Sequence, residues 1–185
     1  NIDTGIIIQP DFKRALSVVD AENYELYISL GCALENLLIA AKQKGYNCLI
    51  KYPSNASDTI VIDITKDNSG KDTHDVLFNE ITKRQVTKSK YNDKAISDGV
   101  LQQLSSSFNF EGVSLRILNG KKNYETIIPL IIEANNLQLN NKDFLNELVH
   151  WIRFSKNEAE KKKDGIWSAT MGMPGLGRFL GGLVM

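Results

Sequence analysis

The 185 residues amount to about one domain, enough to remove roughly 70% of the unfolded chain's surface from water, so no disulfide scaffold is needed. With 22 basic and 22 acidic residues the formal charge is zero, and no overall field draws the chain to nucleic acid or to an anionic membrane. A hydrophobic share of 42% and a charged share of 24% are those of an ordinary soluble globular protein; no apolar run approaches the ~18 residues of a membrane span, which excludes a membrane protein. Cys32 and Cys48 fall in segments that read as a buried helix and a strand, so they are expected as reduced structural thiols in a reducing, cytoplasmic setting.

The chain opens on Asn1 without a signal-like leader and stops in the apolar run Gly181 to Met185, so it is expected to be an internal fragment of a longer protein. Ile6 to Ile8, closed by Gln9 and Pro10, reads as a strand. Asp20 is placed as the N-cap of a long helix, with Glu22 and Glu25 in its first turn and Lys42, Lys44 and Gly45 at its end. Leu26, Leu30, Ala33, Leu34, Leu37, Leu38 and Ala41 make its apolar stripe, and Ile28, Cys32, Ile39 and Ala40 widen that stripe until hardly any polar face is left. Such a helix is expected to be buried centrally or at an interface.

Cys48 to Tyr52 and Thr59 to Ile64 read as neighbouring strands joined by a loop, and the polar stretch Lys66 to Asp72 as a boundary, dividing the chain into 1–68 and 69–185. Beyond it, Val76 to Ile81 reads as a short helix, Ala95 to Ser106 as an amphipathic helix and Val113 to Leu118 as a strand. Tyr124 to Asn136, interrupted at Pro129, and Phe144 to Phe154 have helical spacing. Strands mixed with longer helices predict an α+β or α/β protein, ending in a glycine-rich tail from Ser168 to Met185.

The densest positive charge lies from Lys83 to Lys94, where five basic residues meet one acid, 5 − 1 = +4. Arginine offers a planar fork for two phosphate oxygens, lysine a compact charge and Thr87 a hydroxyl, so a phosphate ligand suits this segment. Charge alone favours solvated charges on a loop before a helix, since charge runs are usually wet surface.

The order of residue types adds to that. Lys83 Arg84 Gln85 Val86 Thr87 Lys88, followed by an aromatic and a helix with Leu101 and Leu104, resembles the FMN-binding segment that opens nitroreductase-family domains. The resemblance implies that Arg84 holds the FMN phosphate or ribityl chain, that Gln85 contacts the ring edge or ribityl group, and that Thr87 and Lys88 complete the site, with Lys88 near flavin N1 and O2. Val86 stands where the family commonly has serine. The stretch Ile28 to Ala41, ending at Gly45 and Tyr46, resembles the long helix that nitroreductases pack at their dimer interface. Here it precedes the FMN-type segment, and Thr59 to Ile64 resembles the family's carboxyl-terminal strand, an order that implies parts of two tandem halves.

That order is similar to the fused, Acg-like branch of the family, in which one chain imitates the homodimer. Glu147 to Ser155 with Glu158 and Ala159, then Asp164 to Ile166, and Met173 to Arg178 extend the likeness. What it implies is a nitroreductase-like α+β fold with a central mixed or antiparallel sheet and packed helices. It also implies FMN as cofactor, NAD(P)H as donor, a quinone or nitro compound as acceptor, and a homodimer or an intrachain pseudo-dimer. A cation ~4 Å from flavin N1 at an effective dielectric near 20 is worth about 4 kcal/mol to the reduced flavin before solvation is counted. No catalytic acid or base is implied. The alternative that the same branch leaves open is an FMN storage protein with a lid over the flavin and no turnover.

Other tempting residues read as structural. His74 and His150 lack metal-ligand spacing, and no metal is expected. Trp151 and Phe154 read as packing, Lys161 to Lys163 as a solvated helix end, Gly175 and Gly177 as a turn or lid rather than a dinucleotide fingerprint, and Asn55 to Ser57 as a chance sequon.

Overall fold

The computed structural model describes residues 4–53, 58–69, 76–86, 91–92, 94–108 and 111–171. It is an α+β protein in which the chain forms two compact units, Asn1–Val86 and Thr87–Met185.

In the first unit, β1 (Thr4–Ile8), β2 (Tyr46–Lys51) and β3 (Ile60–Lys66) make an antiparallel sheet in the order β1-β3-β2. Central β3 pairs Ile62 with Ile6 on one side and with Ile50 on the other. The period of two then sorts the sheet into faces. Ile6, Ile50 and Ile62 share one face, on which Ile62 is fully buried; Ile7 and Leu49 stand on the other, both more than 60% exposed. Helix α1 (Tyr24–Gln43) packs on β2, and the short α2 (Phe78–Ile81) packs on α1.

The N-terminus of α1 differs from the predicted one. Asn23, in the left-handed conformation at φ 58°, occupies the cap position and its side chain caps nothing. Asp20 supplies the missing acceptor from further back: its buried carboxylate accepts from Leu26 N at 2.9 Å. Asparagine tolerates the left-handed region because its short polar side chain can bond locally, which lets the chain double back between Asp20 and the helix. The other end is as predicted, with Lys44 closing α1 and Gly45 at φ +73°, a conformation that glycine adopts without Cβ strain.

Two expectations about α1 are corrected. Only Leu34 is buried; Tyr24 and Ile28 are about two-thirds exposed or more, so α1 covers one face of a three-stranded sheet rather than lying at the centre of a core. Cys32 is exposed with it, whereas Cys48 is half-buried on β2; both thiols are free. The expectation of no span-length apolar segment also changes. By length and composition α1 is long and apolar enough to cross a membrane, the one such helix among the described residues, at a mean hydropathy of 1.2.

In the second unit α3 (Asp98–Ser106), α4 (Lys121–Leu139) and α5 (Lys142–Trp151) are followed by β4 (Ile152–Arg153), α6 (Lys156–Lys162) and β5 (Ile166–Trp167). Residues 113–118, predicted as a strand, form no ladder beyond a bridge position at Val113, and Leu115 and Leu118 are exposed; β-propensity without a partner strand does not make a sheet. Pro129 does not break α4, which runs through it. Helix α5 starts where Asn141 Oδ1 accepts from Asp143 N and Phe144 N, and it ends at Trp151 rather than Phe154. There the chain turns extended so that β4 can pair in parallel with β5 across the α6 crossover.

Candidate functional site

Helix α2 delivers the cationic segment. Past Ile81 the chain stays wound for one more turn, with Lys83 N and Arg84 N both donating to Glu80 O, at 3.2 and 2.9 Å. Lys83 Nζ reaches the Glu80 carboxylate at 2.8 Å, so its charge is locally matched. Arg84 and Gln85 follow on exposed backbone, and the Arg84 guanidinium makes no ion pair among the described residues. Thr87 and Lys88, the other two residues assigned to the site, lie outside the described residues. The structure therefore brings Arg84 and Gln85 together by adjacency at the exit of α2. Val86 beside them is exposed, an apolar side chain on a polar stretch.

Cation supply and demand are settled very differently around Arg153. That residue is 2% exposed, and its guanidinium makes four hydrogen bonds: Nε and Nη2 donate to Asp164 Oδ1 at 2.9 and 2.7 Å, and Nη1 donates to His150 O at 2.7 Å and Ile152 O at 3.3 Å. The Trp151 ring lies 5.7 Å from its Cζ. Gly165, at φ +69°, closes the other side, and a Cβ there would overlap the Trp151 carbonyl oxygen. Ser155 Oγ accepts from Glu158 N while the Glu158 carboxylate accepts from Phe154 N, a reciprocal cap on α6. Buried Ser168 donates to Phe154 O at 3.4 Å. With every one of these groups engaged, the knot is a scaffold rather than a ligand site. Phe154, 2% exposed, fills its core as the packing reading expects, while His150 is exposed and meets Trp151 edge to face.

Sequence reasoning missed two further pairings. Tyr27 Oη donates to Asp58 at 2.5 Å, and that bond holds the phenol above its ordinary pKa, because ionising it would break the bond beside a carboxylate. Asp58 and Tyr27 edge a 400 Å³ groove floored by Leu34 and Leu38 of α1. On the open face of the sheet Lys51 pairs with Asp63 at 2.6 Å. Burial on β2 raises the pKa of the Cys48 thiol. Of the earlier structural readings, His74, Asn55 to Ser57, Gly175 and Gly177 lie outside the described residues, and Lys161 to Lys163 form an exposed helix end. Comparison of the chain with models of known families, with curated proteins and with solved structures yields no match.

Proposed function

We propose that this chain is part of an FMN-binding oxidoreductase of the nitroreductase type, taking reducing equivalents from NAD(P)H and delivering them to an electron-poor acceptor such as a quinone or nitro compound. The observation that carries this reading is the state of Arg84: exposed, without an ion-pair partner among the described residues, and followed directly by a carboxamide. An arginine engaged like Arg153 has no fork left for a phosphate. Arg84 keeps its fork, and Gln85 can both donate and accept, so the two residues fit a phosphorylated flavin.

Bound FMN supplies the hydride chemistry, and the protein supplies binding, orientation and local charge. In this account Arg84 binds the phosphate or ribityl chain and Gln85 orients the cofactor. Thr87 adds a hydroxyl donor, and Lys88 places positive charge where reduced flavin becomes electron-rich. No protein acid or base is needed. The α+β architecture with an antiparallel sheet under a long helix supports the nitroreductase-like fold. The exposed apolar residues of α1 support a dimer-like assembly, with a partner surface seated on that helix.

The test is the visible spectrum of the purified protein, with FMN added if the bands are weak, followed by anaerobic NADPH. Bound flavin that bleaches supports the oxidoreductase. Bound flavin that stays oxidised under excess NADPH and NADH replaces turnover with storage, and no bound flavin after FMN addition overturns the reading.

A further inference from the structure

In the second unit a cavity of about 580 Å³ opens between the 91–96 segment, α3 and the start of α4. Its volume is in the range of small-molecule sites. Tyr91 and Tyr124 present two aromatic rings to it, and Leu101 of α3 supplies half-buried apolar lining. Two local hydrogen bonds run between its lining residues. Asn92 Oδ1 accepts from Lys94 N at 3.2 Å, which turns the chain and sets Lys94 at the cavity, and Tyr124 Oη bonds Asn119 Oδ1 at 3.4 Å. Among the described lining residues there is no carboxylate, and the Lys94 ammonium makes no ion pair with any described residue.

We infer that this cavity is a binding site for a flat aromatic anion, with Tyr91 and Tyr124 stacking on its ring and Lys94 meeting its carboxylate. Two phenol rings and an aliphatic wall favour a planar apolar body, and offset stacking adds to the burial of its faces. The Lys94 charge, which has no ion-pair partner among the described residues, then selects among planar ligands: a cation meets like charge, a neutral ring leaves the ammonium to water, and an anionic ring uses it. Lysine suits a rim position, because its stem can lie along the rings while its head stays hydrated until a ligand arrives. The inference uses neither Arg84 nor Lys88 and stands apart from the flavin reading.

Equilibrium dialysis at neutral pH with 2-naphthoate, and with 2-naphthol as the neutral ring of the same size, tests it. The wild-type chain is expected to bind 2-naphthoate saturably, one per chain, and more tightly than 2-naphthol. Lys94→Met is expected to weaken 2-naphthoate about fivefold, the value of a charge contact at an exposed rim, while leaving 2-naphthol unchanged; Lys94→Arg restores the difference. Tyr124→Ala is expected to weaken both. Intrinsic tryptophan fluorescence of each variant checks that the fold is kept. Unsaturable uptake, several molecules per chain, or equal affinities in wild type and Lys94→Met overturns the site. Displacement of 2-naphthoate by equimolar FMN overturns it too, by assigning the cavity to the flavin.

Discussion

Arg153 and Arg84 carry the same side chain and show what burial does to it. Arg153 sits between two buried residues, Ile152 of β4 and Phe154 just after it, so its guanidinium is carried out of water and has to be matched in place; Asp164 and two carbonyls do so. Arg84 follows a one-turn helix on open backbone, is exposed, and makes no ion pair among the described residues. The first arginine is committed to the fold. The second is exposed and has no ion-pair partner among the described residues, and the difference lies in the neighbours rather than in the residue.

The sharpest way to break this contrast is Arg153→Met. Removing the buried guanidinium takes four hydrogen bonds out of the knot and one charge partner from the partly exposed Asp164, and about 3 kcal/mol of stability is expected to be lost. Both tryptophans of the chain, Trp151 and Trp167, flank this knot, so urea unfolding followed by tryptophan fluorescence reads it directly. Gly165→Ala comes next: the new Cβ meets the Trp151 carbonyl in a backbone conformation that alanine resists, and a loss of about 1–3 kcal/mol is expected in the same assay. Arg84→Ala is expected to change stability by less than about 0.5 kcal/mol, because an exposed side chain with no ion-pair partner among the described residues leaves no buried charge unmatched behind. A loss at Arg84 as large as that at Arg153 would erase the distinction.

The two cysteines give a smaller version of the same comparison. Cys48, half-buried, holds its proton above the ordinary thiol pKa, while Cys32 is exposed. At any pH near neutrality Cys48 therefore has less thiolate than an ordinary thiol and is also less accessible, and iodoacetamide is expected to label the exposed Cys32 first. The linkage sign follows. A native pKa above the unfolded one means that the folded chain holds the proton longer, so this thiol's contribution to stability is present below the unfolded pKa and is lost as the pH rises through the folded one. Equal labelling rates at all pH values would contradict it.

The strands were legible in the sequence because alternation and flanking turns mark them: Cys48 to Tyr52 and Thr59 to Ile64 fall within a residue or two of β2 and β3. Helix ends set by glycine were legible for the same local reason. What could not be read was anything decided by a distant partner. The 113–118 segment has strand composition but no ladder to join, and the apolar stripe of α1 implied burial that one three-stranded sheet does not supply. The cap of α1 was half legible, since Asp20 is the right residue in a different place. The Arg153–Asp164 pair left a faint signal, a charge inside the apolar run Ile152 to Phe154 followed by an Asp-Gly turn, but no local rule joins residues eleven apart. Of the candidate site, Arg84 and its neighbour Gln85 are among the described residues, and they are the part that composition marked most plainly.

The central claim, that the segment from Arg84 to Lys88 grips a phosphorylated flavin, is tested most directly by titrating FMN with the chain and following the quenching of flavin fluorescence. The account predicts saturable one-to-one binding that Arg84→Ala weakens about tenfold or more, the loss of a charge-assisted contact, with the tryptophan unfolding curve unchanged. Wild-type chain that fails to quench FMN, or an Arg84→Ala chain that binds it as tightly as the wild type, would contradict the claim.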